Sequence, residues 1–378
     1  MKATPSKNQT SDQRLESIQV LRGIAALLVV FCHQIYVGHD HLPPNGWLYW
    51  LFESATPIGA FGVDLFFVIS GFVMLFSVEK LHGASSAGQF LVGRALRILP
   101  IYYLVAGTLF LRGLQAGTDF GAVGFVNSFL LLPLTDQDAY NWPVLIVGWT
   151  LVFEFIFYLV VATVVVADVR QRAATIVGIT IALPLLGLSL GLEHASAVIV
   201  RMITNPILIE FSLGALAYVA WRKGLIERHR ATWQLLALVA LVSVPLTLSM
   251  RDGGVANADE LIDGGIGWLR TIGWGSSAAL IFLAILTVRS DQWLARNRPL
   301  LLLGDISYSL YLVHLPIVAI VARKAPASFP ALLTAAIAML VSIVAALILY
   351  RLVERPLHQR SRQWLRRHQM RRAVPATT

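Results

Sequence analysis

The segment IQVLRGIAALLVVFCHQ, Ile18 to Gln34, decides the fold. The ten residues between Arg22 and His33 carry no charge, and the apolar character extends over positions 18–37. A helix needs about 20 mostly apolar residues to cross a bilayer. The segment is not a cleavable signal, because no small-residue cleavage site follows it. Bulky Val30 and Phe31 before Cys32 also make it a poor lipoprotein signal. It reads as a retained first membrane helix. Nine further apolar runs follow, near 58–77, 99–116, 144–168, 174–192, 204–221, 232–249, 268–288, 300–322 and 330–350. The expected fold is all-α: a polytopic membrane bundle of about ten transmembrane helices.

Composition agrees. Of 378 residues, 57% are hydrophobic and only 13% charged, against roughly 25% charged in soluble domains. Mean hydropathy is +0.69. So few charges cannot cover a soluble surface, which excludes a cytosolic globule, a disordered chain and a disulfide scaffold. Cys32 is the sole cysteine, so no disulfide forms within the chain. The net charge of +9 reads as charge sorting across a bilayer rather than nucleic-acid binding. The third run is the weakest, with 13 apolar residues from Leu99 before Arg112. If it spans, inner segments carry 23 Lys and Arg and outer loops 5; if it does not, the counts become 11 and 17. The positive-inside bias therefore selects ten helices with both termini cytoplasmic. The Arg-rich tail after Pro356 is a topology anchor that also meets anionic lipid.

An ionisable residue inside a membrane helix costs several kcal/mol and marks a candidate site. Here these are Arg22, His33, Asp64, Glu154, Glu210, Asp305 and His314, with Arg94 and Arg97 at an inner boundary. Arg22 and His33 are eleven residues apart, which places them on one helix face about 16 Å apart along the axis. They read either as a snorkelling anchor and a helix contact, or as two parts of one site. Asp64 enters its helix at a depth similar to His33. A carboxylate there would fix the imidazole tautomer of a general base; the other reading is a structural pair. Arg94 and Arg97 share a helix face, and arginine forks suit phosphate oxygens; plain inside charge is the alternative. Glu154 lies mid-helix in GWTLVFEFIFY and needs a cationic partner or a proton. The segment GDISYSLYLVHLP adds Ser307, Tyr308, Ser309, Tyr311 and His314, with Pro316 expected to kink the helix. Hydroxyls also join membrane helices, so packing explains part of this. No HExxH, cysteine cluster, P-loop, nucleotide-binding GxGxxG or nucleophile elbow occurs.

Together these segments resemble the membrane-bound acyltransferase family 3, integral-membrane O-acyltransferases of bacterial surface polysaccharides and some macrolides. The likeness rests on IQVLRGIAALLVVFCHQ, GAFGVDLFFVISGFVM, GRALRILPIYYL, GWTLVFEFIFY and ISYSLYLVHLP, in that order, with VERPLHQ after the last helix. It runs from about residue 15 to 358. The resemblance implies an acyl-CoA donor, usually acetyl-CoA, reached from the cytoplasm, and no metal. It implies a hydroxyl acceptor on a glycan or lipid-linked glycan. His33 is then the catalytic base or nucleophile, and Arg22, Arg94 and Arg97 would engage the donor's phosphates. From the residues themselves, Asp64 and Glu154 are further catalytic candidates, and Tyr308, Ser309 and His314 are candidates for binding substrate.

The expected layout is a cytoplasmic tail 1–17, a membrane acyltransferase domain 18–356 and a basic tail 357–378, in a bacterial inner membrane. Relatives often carry a C-terminal hydrolase-like domain. About 22 residues follow Pro356 here, which leaves direct transfer or a separate periplasmic or export partner. A small secondary metabolite as acceptor, and a transporter or acyl carrier without chemistry, are the competing readings.

Overall fold

The computed structural model describes residues 7–79, 81–136, 139–249, 256–263, 265–288, 297–326, 328–361 and 363. The opening apolar segment lies on α1 (Lys7–Cys32), which gives way at His33 and Gln34 to a short α2 (Ile35–His41). Then come α3 (Trp47–Ala55), α4 (Phe61–Val78), α5 (Gly83–Gln115) and α6 (Gly121–Phe129). A small antiparallel ladder pairs β1 (Thr135–Asp136) with β2 (Ala139–Tyr140). The chain continues through α7 (Trp149–Val166), α8 (Arg172–Leu190), α9 (Val198–Ile203), α10 (Leu208–Arg222) and α11 (Leu225–Arg228). Next are α12 (Arg230–Ser249), α13 (Ala258–Ile262), α14 (Gly267–Arg270) and α15 (Ser276–Thr287). Last come α16 (Arg298–Asp305), α17 (Ser307–Lys324) and α18 (Ala331–Leu349). Single π-helical turns, Thr271–Gly275 and Tyr350–Glu354, follow α14 and α18.

Among the described residues, eight helices are long and apolar enough to cross a bilayer, and the bent pair α16–α17 makes a ninth. The seventh apolar run forms α12, whose stretch Arg230–Leu246 is a shorter apolar helix. It packs on α15 and turns Leu235, Leu238, Leu241, Val242 and Leu246 outward, as a lipid-facing surface requires.

One expectation is corrected. The third run is not a short helix starting near residue 99. It belongs to α5, which begins at Gly83 and is 33 residues long, about 50 Å. Its first turns are amphipathic, so a search for apolar runs misses them. Arg94 and Arg97 consequently lie inside the helix, not at its boundary. Pro316 lies inside α17, which continues to Lys324. The sharp change of direction, 71°, falls at Ile306 between α16 and α17.

Glycine sets the closest crossing. A Cβ on Gly71 of α4 would lie 2.0 Å from the carbonyl oxygen of Phe211, and one on Gly214 of α10 would lie 1.9 Å from that of Val68. Only glycine lets two membrane helices approach backbone to backbone in this way. The large core gathers Phe67, Phe72, Phe153, Phe157, Phe211 and Phe282 between α4, α7, α10 and α15. A smaller, alanine-rich core joins α1 to α17 and α18 through Ala26, Val30, Leu310, Val318 and Ala338. α1 contributes Ala25 and Val29 to the first core and Ala26 and Val30 to the second. It is the wall between them, and Arg22 and His33 stand on that wall.

Candidate active site

A cavity of about 120 Å³ lies among α1, α4, α5, α7 and α17. Arg22, Arg94 and Arg97 all line it, together with Ser70, Glu154, Tyr158 and Tyr308. The three arginines that the resemblance assigns to the donor's phosphates therefore meet at one cavity. Arg94 Nη2 donates to Ser77 Oγ at 2.8 Å. Its guanidinium also lies 5.4 Å from the Phe90 ring centroid and 5.9 Å from that of Tyr158. These contacts hold the long side chain extended in a dry setting. Arg22 reaches Gln19 Oε1 at 3.4 Å and lies within electrostatic range of Arg97, Glu354 and Glu154. Glu154 accepts from the Tyr158 hydroxyl and, at 3.4 Å, from Ser70 Oγ. Tyr308 donates to the Ile98 carbonyl at 2.8 Å.

The α4 residues that line the cavity run from Met74, at the arginine end, to Val63, beside the aromatic pair Phe66 and Tyr311. Met74 is eleven helical residues from Val63, about 16 Å. Phe66 and Tyr311 meet edge to face at 5.8 Å. The Tyr311 hydroxyl is fixed by Thr150 Oγ1 at 2.7 Å and the Val147 carbonyl at 3.1 Å. Behind it, 5.9 Å away, is the ring of His314, and His314 Nε2 is 3.2 Å from Nδ1 of His33. The two histidines thus stand just past the aromatic end. His33 is half-buried and His314 fully buried.

The carboxylate expected beside His33 is not Asp64. Asp64 lies on another side of α4, where Arg270 grips it with two bonds, Nε to Oδ1 at 3.1 Å and Nη2 to Oδ2 at 2.9 Å. Both side chains are essentially inaccessible, at 1% and 0% exposure. Arg270 also donates to the Ala60 carbonyl at 3.2 Å and lies 5.1 Å from the Trp274 ring. Glu210 is buried against the same pair. An arginine fork in a dry interior needs a carboxylate, and that need outweighs any demand from His33. Ser309 does not reach the cavity either: its hydroxyl donates to Glu354, of the VERPLHQ segment. Asp305 is exposed and takes Gln19 Nε2 at 2.6 Å.

Two charged residues thus matter that sequence reasoning did not assign to the site, Arg270 and Glu354. Each sits at a π-helical turn, where one extra residue re-aims the side chain relative to a regular helix.

The family profile described as an acyltransferase domain matches residues 15–351. The exopolysaccharide production protein ExoZ of Rhizobium meliloti (strain 1021) is 29% identical over 319 residues, 81% of this chain and 91% of that protein. Nodulation protein 10 of Rhizobium leguminosarum bv. viciae is 26% identical over 338 residues, 82% and 84% of the two chains. Acyltransferase MdmB of Streptomyces mycarofaciens is 30% identical over 156 residues, 39% of this chain and 38% of that one. No solved structure matches the chain. With the profile covering nearly its whole length, the chain belongs to the acyltransferase 3 family and is a multi-pass membrane acyltransferase.

Proposed function

We propose that the protein transfers an acyl group, acetyl in the first instance, from acyl-CoA to a hydroxyl of a surface polysaccharide or its lipid-linked precursor. One observation carries the reading: three arginines from two helices converge on a cavity whose far end abuts a histidine pair. Arginine forks suit the donor's phosphates, and the cavity's length suits a narrow arm that carries a thioester away from a charged head. His33 acts on the acceptor. It takes the hydroxyl proton, the oxygen attacks the thioester carbonyl, the carbon–sulfur bond breaks, and the departing thiolate regains the proton from His33. An acyl-His33 intermediate achieves the same exchange in two steps. Donor passage requires the Phe66–Tyr311 contact to open.

Glycan as acceptor is supported by the match to ExoZ, which spans 81% of the chain. A small secondary metabolite is the second reading, supported by the match to MdmB over 39% of the chain. The positive-inside bias orients both termini and the arginine end toward the cytoplasm of a bacterial inner membrane, where acyl-CoA is made. The test is CoA release by the purified protein in nanodiscs with acetyl-CoA, with and without a lipid-linked glycan extract. Extract-dependent release that His33→Ala abolishes, with acetyl-CoA binding retained, supports the reading. Release by the variant at the wild-type rate removes His33 as catalyst. Acetyl-CoA binding without release directs the search to small hydroxylated metabolites, and absence of binding overturns the donor.

A further inference from the structure

The two histidines form a directional pair whose hydrogen positions follow from their partners. His33 Nδ1 lies 2.9 Å from the carbonyl oxygen of Val29. A carbonyl only accepts, so in the neutral ring Nδ1 carries the hydrogen and Nε2 keeps its lone pair. The position has a local cause. Val29 is in the last turn of α1, and its carbonyl receives the His33 amide only at a stretched 3.4 Å. Carbonyls at a helix end accept side-chain donors. His314 repeats the arrangement, with Nδ1 3.1 Å from the Leu310 carbonyl. Its Nδ1 also carries the hydrogen, which leaves the Nε2 lone pair facing His33 Nδ1–H at 3.2 Å. The rings meet at an angle of 61°, and Tyr311 and the Ala-rich core leave His314 fully buried.

We infer that His314 is the positioning residue for His33, with its neutral Nε2 standing where other hydrolases and transferases place a carboxylate. The inference rests on the proposed role of His33 and goes beyond it. The His33 Nδ1–H is shared between the Val29 carbonyl and His314 Nε2. Nε2 is thereby kept as the proton-accepting atom, and the imidazolium formed during transfer keeps both acceptors. The Leu310 carbonyl holds the far hydrogen of His314, so no proton travels beyond this ring. His314 then touches neither donor nor acceptor. The expected loss on removing it is smaller than the ~10⁴-fold seen when a triad carboxylate is replaced, because the Val29 carbonyl still holds the ring.

The test compares His314→Ala, His314→Gln and His314→Asn in nanodiscs. The glutamine carbonyl falls where Nε2 was and accepts from His33; the asparagine amide falls near Nδ1 and does not. Alanine and asparagine should lower kcat about 10- to 100-fold with the acetyl-CoA KM unchanged, and glutamine should restore most of the rate. Equal loss in alanine and glutamine variants, a full rate in the alanine variant, or a change confined to KM overturns the inference. Transfer that survives in His33→Ala fails the underlying reading instead. Nuclear magnetic resonance of ¹⁵N-histidine-labelled protein decides the hydrogen positions without turnover. The inference requires Nδ1–H on both rings and a hydrogen-bond coupling from His33 Nδ1 to His314 Nε2. An Nε2–H tautomer of His33 overturns it whatever the activity.

Discussion

Two clusters of arginine and carboxylate sit inside the bundle on different sides of α4, and they are built on opposite terms. Around Asp64 the arginine is answered: the Arg270 fork closes on one carboxylate with two bonds, both partners are buried, and a second carboxylate, Glu210, is buried against them. Around the cavity, charge is left over. Arg22, Arg94 and Arg97 converge, while Glu154 is tied to Tyr158 and Ser70 and Glu354 to Ser309. The first arrangement holds helices together. The second keeps like charges close and becomes favourable when an anion arrives. A charged residue in a membrane therefore marks a ligand site only where its charge is not already answered.

The largest effect should come from breaking the matched cluster. Asp64→Asn takes the bidentate partner from a buried guanidinium and leaves it only Glu210, at a cost of up to about 3–5 kcal/mol. The expected result is a lower melting temperature in detergent and loss of monodisperse protein on gel filtration. Asp64→Leu combined with Arg270→Met leaves no uncompensated charge and should recover most of the stability. If that double variant folds yet transfers nothing, the cluster belongs to the chemistry and the contrast fails.

The cavity should respond the other way. Arg97→Gln removes one of several crowded cations, so the melting temperature should hold or rise. A lost charge-assisted bond to the donor, about 1.5–3 kcal/mol, should raise the acetyl-CoA KM about 10- to 100-fold. Arg97→Lys should recover only part, since an ammonium lacks the fork. A variant that unfolds without changing KM would place Arg97 among the structural charges.

This contrast also marks what the sequence can express. The apolar runs were legible because a bilayer demands length and hydropathy, and among the described residues the eight long helices, the bent pair and the shorter α12 fall on them. Helical spacing put Arg94 and Arg97 on one face, while the meeting of Arg22 with them was legible only from charge type and the family resemblance. The partner of Asp64 was not. Depth along the helix allowed both His33 and Arg270, and only the packing of α4 against α10 and α14 decides between them. The roles of Arg270 and Glu354 were hidden by π-helical turns, since a regular 3.6-residue period misplaces every side chain beyond an inserted residue. The His33–His314 contact joins positions 281 residues apart, a distance no local pattern encodes.

Ser309→Ala sharpens the comparison on a smaller scale. Ser309 was expected to touch substrate, but its hydroxyl is spent on Glu354. Removing it leaves a half-buried carboxylate short of a donor, at no more than about 1–3 kcal/mol. A lower melting temperature with the acceptor KM unchanged fits that geometry, and a raised KM with stability intact restores the substrate role.

The smallest effect belongs to a charge cluster outside the membrane spans. Asp168, between α7 and α8, accepts from Arg172 at 2.9 Å and lies 2.8 Å from His82 Nδ1. Bonds from His82 and Arg172 hold its carboxyl below the usual value of 3.8. A carboxyl lowered in the folded state contributes stability above its unfolded value, and that contribution fades as pH falls through the folded one. Asp168→Asn should therefore lower the melting temperature slightly at neutral pH, and the gap should close as the pH drops below about 3.8. Water screens this pair, since both Asp168 and His82 are more than half exposed at 57% and 66%, so salt should shrink the difference too. A gap that persists in acid and at high salt would mean that the Asp168 charge is not its source. The backbone there stands at a φ of 48°. Asparagine tolerates that left-handed conformation as well as aspartate does. The substitution thus isolates the charge, and the same change at Asp64 should cost far more because Arg270 and Asp64 are buried, at 1% and 0% exposure.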